Sequence, residues 1–190
     1  YKELKTTVGD EPILFIDGVH PTQATKISYG WIRKGQKKAV KTTGSRTRLN
    51  IMGALNLKAL TSPLICEYKT INEYNVSRFF NEIRKVYPDY NQKIHVILDG
   101  AGYHRSQLVK DWAEVVNTRL HYLPPYSPNL NPIERMWKLM NEHARNNRYF
   151  SSTREFREAI SVFFNQTLPN IADSLTSRIN DHFQVLTPAS

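Results

Sequence analysis

The spacing of apolar residues changes several times along this chain, between continuous runs, alternation and helical spacing. The order of these segments predicts a mixed sheet with helices on its faces. Residues 11–17 form an apolar run that is too short and too even for a surface helix, so they predict a buried strand. A second buried strand is predicted over 93–98, and a shorter strand over 119–123 ends at a double proline. Helical segments precede both, and such crossovers make these strands parallel to a central strand.

Three runs with a period of two follow the first strand and predict half-buried antiparallel strands. The apolar positions of the three runs are Ile27, Tyr29 and Trp31; Leu49, Ile51, Leu55 and Leu57; and Leu64, Cys66 and Tyr68. The region of Gly35 and Gly44 is predicted to form a turn between the first two runs. Trp31 is therefore assigned to core packing rather than to base stacking.

Helical spacing of apolar residues replaces the alternating pattern in the second half of the chain. Tyr87-Pro88 is expected to close the first of these helices, and Ser152 with Glu155 forms a capping box that opens the fourth. The apolar stripes of the five predicted helices are Val76, Phe79, Phe80 and Ile83; Leu108, Trp112, Val115 and Val116; Ile133, Met136, Trp137 and Met140; Phe156, Ile160, Phe163 and Phe164; and Ile171, Leu175 and Ile179.

The size and composition of the chain favour one packed domain in a reducing compartment. With 190 residues, of which 40% are hydrophobic, the chain can bury about two-thirds of its unfolded surface. We expect a single domain over 1–190, with a core over 11–150 and C-terminal helices over 151–185. No run approaches the roughly 20 apolar residues of a membrane span, and the one cysteine, Cys66, excludes an internal disulfide. A cytoplasmic location is the expectation.

The formal charge of +9 favours a polyanionic partner, because neutralising phosphates releases condensed counterions. Residues 33–48 contain seven positive side chains and no acid. This stretch is interpreted as a phosphate-contacting surface, with a solvated hairpin tip as the alternative. The candidate DNA contacts within it are Lys34, Lys37, Lys38, Arg46 and Arg48.

Two of the buried strands end in the same way, at an aspartate followed by glycine. These residues are Asp17 and Asp99, and a third carboxylate, Glu134, follows Asp99 after 34 intervening residues. In a mixed sheet, Asp17 and Asp99 are expected on the same edge of neighbouring strands. Cleavage of a phosphodiester needs an activated water and charge stabilisation, which two divalent ions about 3.5–4 Å apart supply. Magnesium prefers carboxylate and water oxygens, so the three acids indicate metal-dependent chemistry on nucleic acid.

Each of these acids also has a purely structural interpretation, and the residues alone leave both interpretations open. An Asp-Gly pair after an apolar run is often only a turn. Asn131 is interpreted as an N-cap rather than a substrate ligand, Pro132 suits the first helical position, and Glu134 lies three residues after the cap. The two roles of Glu134 are compatible, because a helix N-terminus favours the ionised carboxylate that a metal needs.

A resemblance to a known family adds to this reasoning. The segment from Ile97 to Trp137, which contains LDGAGYHRS, LPPYSPNLNPIE and RMW, resembles the catalytic domain of mariner-superfamily transposases, especially the bacterial insertion-sequence branch. The stretches at 15–18 and 29–31 are similar to that family's first strand and following hairpin, so the resemblance covers roughly 12–149. It implies a ribonuclease-H-like fold of the retroviral integrase superfamily, an α/β fold with a mixed five-stranded sheet flanked by helices.

The same resemblance implies a set of site residues and cofactors. The family's Asp–Asp–Glu triad corresponds to Asp17, Asp99 and Glu134, which would act as both catalytic and metal-binding residues. The cofactor would be Mg²⁺, with Mn²⁺ able to substitute and two ions per active site when substrate is bound. Glu134 at the third place is similar to the insertion-sequence type, since mariner proteins proper have Asp there.

The residues after Asp99 both match and depart from the family pattern. Gly100 stands where family members commonly have Asn, so any contact made by that amide is not expected here. His104 matches a histidine of the family motif and is expected near the scissile phosphate, with a hydrogen bond inside a turn as the alternative. Arg105 and Ser106 lie at a helix start that suits a phosphate, with simple surface exposure as the alternative. His104 and Arg105 join the candidate DNA contacts.

The function implied by the resemblance is that of a transposase catalytic domain. Such a domain cuts DNA at transposon ends in a metal-dependent step and joins the exposed 3′-hydroxyl to target DNA. Its partners would be transposon-end DNA, target DNA and a second copy of the chain in a synaptic complex. The expected location is the bacterial cytoplasm at the nucleoid, or the nucleus of a eukaryote. The alternatives are a nuclease of the same fold that cuts without joining and a domesticated, inactive DNA-binding protein.

Overall fold

One sheet of five strands forms the centre of the molecule in the residues that the computed structural model describes, which are 1–37, 39–125 and 127–183. The strands are β1 (Ile13–Val19), β2 (Asn50–Asn56), β3 (Leu64–Tyr68), β4 (Ile94–Leu98) and β5 (Thr118–Tyr122). Their spatial order is β3-β2-β1-β4-β5. The pairs β1–β2 and β2–β3 are antiparallel, whereas β1–β4 and β4–β5 are parallel. The sequence-based expectation of a mixed five-stranded sheet is confirmed.

Helices cover both faces of this sheet. The α-helices of the described ranges are α1 (Lys2–Thr7), α2 (Glu73–Val86), α3 (Gln107–Val115), α4 (Ile133–Met140), α5 (Thr153–Val162), α6 (Leu168–Asn170) and α7 (Ala172–Arg178). Single 3₁₀ turns occupy Gly102–Arg105 and Pro128–Leu130, and wider π turns over Asn141–Arg145 and Phe163–Thr167 continue α4 and α5. The sequence pattern did not predict α1, because no residue of α1 is buried.

No helix within the described ranges is both long enough and apolar enough to span a bilayer.

Two hydrophobic clusters lie on opposite faces of the sheet, and β2 contributes to both. Ile51 and Leu55 pack with α4 and α5, whereas Met52 and Ala54 pack with α2 and α3. The expectation that this strand is half-buried is therefore wrong, since it lies inside the sheet with helices on either side. The predicted apolar stripe of α4 is buried, as is that of α2.

The predicted helix boundaries at two places are confirmed by their hydrogen bonds. α2 ends at Val86, immediately before Tyr87-Pro88. The Oγ of Ser152 accepts a hydrogen bond from the backbone N–H of Glu155 at 3.2 Å and opens α5. The Glu155 carboxylate accepts a hydrogen bond from the backbone N–H of Ser151, one residue earlier than in a standard capping box.

The predicted strand at 27–31 does not form. Tyr29 and Trp31 are fully exposed, so the assignment of Trp31 to the core is wrong. Both sides of β1, the strand that precedes this run, are taken by β2 and β4. Without a neighbouring strand, an alternating run lacks the hydrogen-bond partners that make it a strand.

Residues 26–48, which we call the basic arm, instead form a long excursion between β1 and β2. The arm is attached at its base, where Asn147 accepts from the backbone N–H of Ser28 at 2.9 Å and donates to the Ser28 carbonyl. The backbone N–H of Asn147 donates to the carbonyl of Lys26, also at 2.9 Å. Lys38, one of the candidate DNA contacts, lies outside the described residues.

Candidate active site

The parallel pairing of β1 with β4 places the first two acids side by side. Phe15 is paired with Ile97, and the same register continued for two residues brings Asp17 opposite Asp99. The expected neighbourhood of these two residues on the sheet is confirmed by this register. Asp17 lies inside β1 rather than at its end, because β1 stays paired with β2 as far as Val19. Asp99 directly follows β4.

The third acid reaches the same place from α4. Glu134 lies in the first turn of α4, which packs against β1 and β2. Asp17, Asp99 and Glu134 line one cavity of about 440 Å³. The remaining wall comes from two segments: Gly100, Ala101 and Arg105 on one side, and Leu123, Pro124, Pro125, Ser127, Pro128 and Asn131 on the other.

Asn131 has a different role from the predicted one. It makes no side-chain cap, and α4 begins after Pro132 without a capping box. The Asn131 side chain is buried, and its Nδ2 donates to the carbonyl of Ile16 at 3.2 Å. This bond ties the segment before α4 to β1, one residue before Asp17. The N-cap interpretation is wrong because the Asn131 side chain is hydrogen-bonded to a distant strand, at Ile16, instead of to the first turn of α4.

Trp137 fixes the orientation of Asp17. Its Nε1–H donates to Oδ2 of Asp17 at 2.8 Å. The indole lies against Gly53, the residue paired with Asp17 on β2, and a Cβ added at Gly53 would come within 2.5 Å of the ring. Trp137 is buried as the sequence predicted, but its bond to Asp17 was missed. The only signal was its position in the RMW motif that follows Glu134.

The carboxyl group of Asp17 is strongly perturbed. Burial raises the pKa of Asp17 from 3.8 to about 7, and the charges of Glu134 and Asp99 act in the same direction. The hydrogen bonds from Trp137 and from the backbone of Gly18 oppose this shift. Burial, followed by the charge of Asp99, also raises the pKa of Glu134. Three acids that disfavour one another's ionisation form a site that a cation would stabilise.

Asp99 is held in its ionised form by its neighbours. Its Oδ1 lies 2.6 Å from Nδ1 of His104 and also accepts from the backbone N–H of Ala101 at 3.1 Å. The hydrogen bond to His104 is the main reason why the pKa of Asp99 is lowered. His104 is 1% exposed, and its Nε2 has no hydrogen-bond partner among the described residues. The structure thus buries His104 against Asp99, as in the turn alternative.

Arg105 and Ser106, which were predicted together at a helix start, have different roles in the structure. Arg105 is exposed and lines the cavity of the acids. Ser106 caps α3, and its Oγ accepts from the backbone N–H of Val109 at 3.3 Å. Lys34, Lys37, Arg46 and Arg48 are exposed on the basic arm, and none of them lines the cavity.

The acids fit a divalent cation by their chemistry rather than by a preformed cage. Within the described part of the chain, no three His, Cys, Asp or Glu side chains stand together in a metal-holding arrangement. Oδ2 of Asp17 accepts from Trp137, and Oδ1 of Asp99 lies against His104, so neither side chain contacts the second oxygen of its carboxylate. An all-oxygen donor set of this kind suits Mg²⁺ or Mn²⁺.

Comparison with known families identifies the class of this chain. The model of the DDE superfamily endonuclease family matches residues 12–157, so the chain belongs to that family. Among curated proteins, the insertion element IS630 uncharacterized 39 kDa protein of Shigella sonnei is 27% identical over 173 residues, which are 86% of this chain and 49% of that protein. The chain therefore spans about half the length of this relative.

Solved structures support the same fold. The Mos1 transposase paired-end complex with the left transposon end superposes with a TM-score of 0.65 at 15% identity, covering 96% of this chain and 59% of that chain. The catalytic domain of Mos1 mariner transposase gives a TM-score of 0.60 at 13% identity, covering 96% of this chain and 88% of that domain. Similar matches include Mos1 paired-end complexes with Mn and with Mg. The expected ribonuclease-H-like fold is confirmed.

Proposed function

We propose that the chain is the catalytic domain of an insertion-sequence transposase, which cuts DNA at the ends of its element and joins them to target DNA. The observation behind this proposal is the convergence of Asp17, Asp99 and Glu134 on one cavity. Membership of the DDE superfamily endonuclease family and the similarity to the IS630 protein support it. The joining step is supported by the structural likeness to the Mos1 strand transfer complex, since the acids by themselves account for cleavage.

In this proposal Asp17, Asp99 and Glu134 are the catalytic and metal-binding residues. They hold two Mg²⁺ ions, or Mn²⁺ in their place, against the DNA backbone. When bound, such ions activate the attacking oxygen and stabilise the leaving oxygen. The Mos1 complexes with Mn and with Mg support the choice of metal.

The neighbours of the acids hold the carboxylates in place for this task. Trp137 donates to Oδ2 of Asp17. His104 and the backbone N–H of Ala101 contact Oδ1 of Asp99, so both carboxylates keep one oxygen directed away from these partners. His104 is proposed as a positioning residue, since it is buried under Asp99 rather than exposed to DNA.

DNA is the proposed partner, both as element ends and as target. The exposed cations Lys34, Lys37, Arg46 and Arg48 of the basic arm, together with Arg105, are the proposed DNA contacts. A second copy of the chain is proposed in the synaptic complex, on bacterial DNA at the nucleoid. The proposed domain layout is one catalytic domain with a core over 11–150, followed by C-terminal helices of which the last described one ends at Arg178.

Substitution of Asp99 by Asn tests the proposal. The change keeps the shape of the side chain but removes the charge that an ion needs, so nicking of supercoiled plasmid in Mn²⁺ should fall by a factor of about 10³ or more. DNA affinity in EDTA should stay equal or rise, because a negative charge beside phosphate is removed. Asp111→Asn, an exposed acid on α3, is the matched control and should nick at the wild-type rate.

Wild-type nicking rates in the Asp99→Asn variant would contradict the assignment of the acids. Incubation of wild-type protein with a precut element end and a plasmid separates the transposase from a nuclease of the same fold, since joined products form only with the transposase. Purified wild-type protein that binds DNA but never nicks it in Mn²⁺ would instead favour the inactive DNA-binding protein.

A further inference from the structure

We infer that Arg105, seated against Gly100 at the rim of the acidic cavity, binds a phosphate of the DNA strand that is cut. This inference rests on the proposed function and specifies, for one of its proposed DNA contacts, which part of the DNA it binds and what holds it in place. Arg105 is exposed and lines the same cavity as Asp17, Asp99 and Glu134. A guanidinium beside the acids places an anion-binding group next to the groups that suit a cation.

Gly100 provides the seat for this guanidinium. A Cβ built on Gly100 would lie 2.5 Å from Nη2 and 3.0 Å from Cζ of Arg105. The guanidinium therefore rests on the backbone at position 100, and any side chain there would displace it. The absence of a Cβ at Gly100 lets Arg105 fold back beside Asp99.

Tyr122 bounds the guanidinium in a second direction. The Cζ of Arg105 lies 5.5 Å from the centroid of the Tyr122 ring, within cation–π range. The Tyr122 hydroxyl donates to the carbonyl of His104 at 2.9 Å, so the ring itself is fixed. Gly100 and Tyr122 together restrict the position of Arg105. The side chain therefore loses less conformational entropy when it binds a ligand.

The donors of Arg105 are available to a ligand. The ion pairs among the described residues do not include Arg105, and its side chain makes no hydrogen bond to any of them. The neighbouring acid, Asp99, already uses one oxygen for His104 and Ala101. A guanidinium offers donors in a planar fork that matches two phosphate oxygens. DNA that enters an acidic cavity needs such a cation to offset repulsion between phosphate and carboxylates.

A double-mutant cycle tests the pair. The variants are Gly100→Ala, Arg105→Ala and the double variant, with Gly102→Ala as the matched control because no heavy atom lies within 4 Å of a Cβ built there. Two readouts are measured: nicking of supercoiled plasmid in Mn²⁺, and the salt dependence of binding to a fluorescein-labelled duplex in EDTA. Thermal midpoints are recorded for every variant.

Arg105→Ala should slow nicking by about tenfold or more. It should also reduce the slope of log affinity against log salt by about one, the value expected when the protein neutralises one phosphate fewer. Gly100→Ala should act in the same direction, and the double variant should be no worse than Arg105→Ala. All midpoints should stay near that of the wild type, since the displaced atoms are the end of a flexible side chain.

The inference is overturned if Arg105→Ala keeps both the wild-type rate and the wild-type salt slope. If the effects of Gly100→Ala and Arg105→Ala add in the double variant, Gly100 does not act by positioning Arg105, and that part of the inference is wrong. If the wild type itself never nicks DNA, the proposed function fails, and the salt slope in EDTA still decides whether Arg105 contacts phosphate.

Discussion

Asp17 combines burial with two neighbouring carboxylates, so its ionised form is unfavourable without a cation. Its pKa is raised to about 7 in the folded chain, against 3.8 for an unperturbed aspartate. The folded state therefore holds the proton more tightly than the unfolded state. Stability from this group is fully present below pH 3.8 and disappears as the pH rises through about 7.

Asp17→Asn should remove this pH dependence. The amide stays neutral and can still accept from Trp137, so in EDTA the variant should melt at a higher temperature than the wild type at pH 8. The difference should shrink as the pH falls to 5, because the wild-type carboxyl group then becomes protonated in the folded state. Differential scanning fluorimetry across this pH range measures both midpoints. A constant difference between the two proteins would show that the Asp17 carboxyl is not perturbed.

At this scale, the sequence located the acids better than their partners. Asp17 and Asp99 were recognisable because each follows an apolar run, and the parallel register then brings them together. The bond from Trp137 to Asp17 joins residues 120 positions apart and depends on the packing of α4, which no local pattern reports. His104 was recognised as part of the site, but its burial beneath Asp99 depends on the turn at Gly102–Arg105.

The contact between α4 and β2 is the element-scale feature that sets the position of Asp17. The indole of Trp137 on α4 lies against Gly53 of β2, where a Cβ would come within 2.5 Å of the ring. Ile133 would also lie only 3.0 Å from that Cβ. Unlike the end of Arg105, these groups are buried and cannot move into solvent.

Gly53→Ala should therefore destabilise the fold by about 1–3 kcal/mol, the usual cost of overpacking a core. Urea unfolding gives the free energy of unfolding. Gly44→Ala in the basic arm is the matched control, since no heavy atom lies within 4 Å of a Cβ built there. Equal stability of the two variants would mean that α4 does not pack on β2 as described.

Periodicity predicted α2, α4 and the buried strands β1 and β4 well, because each buries one apolar stripe or lies wholly in the core. In α3 the predicted stripe is partly wrong, since Val115 is exposed and Val109 and Ala113 are buried instead. The same reasoning failed at 27–31, since alternation reports only a possible strand face and not a free sheet edge. It also failed for the exposure of β2, because burial on both faces depends on helices far along the chain.

The basic arm carries eight of the 26 Lys and Arg side chains and no Asp or Glu, so it accounts for most of the net charge of +9. Lys34 and Lys37 are exposed there, and their reversal to Glu should weaken DNA binding equally for all sequences. The slope of log affinity against log salt should fall by about one for each phosphate that the arm no longer neutralises. Fluorescence anisotropy at several salt concentrations measures both effects.

The control for the arm is the reversal of Lys2 and Lys58, which are equally exposed on other parts of the surface. The net charge changes by the same amount in both double variants. Identical salt slopes for the arm variant and this control would mean that binding depends on net charge alone and that the arm does not contact DNA.

The central claim is that three acids from β1, the end of β4 and α4 hold divalent ions against DNA. A crystal structure of the chain with DNA and Mn²⁺, with anomalous data at the manganese edge, tests it most directly. We expect two peaks about 3.5–4 Å apart, bound by oxygens of Asp17, Asp99 and Glu134 at about 2.1 Å. Saturating Mn²⁺ with bound DNA but no peak among these carboxylates would contradict the account.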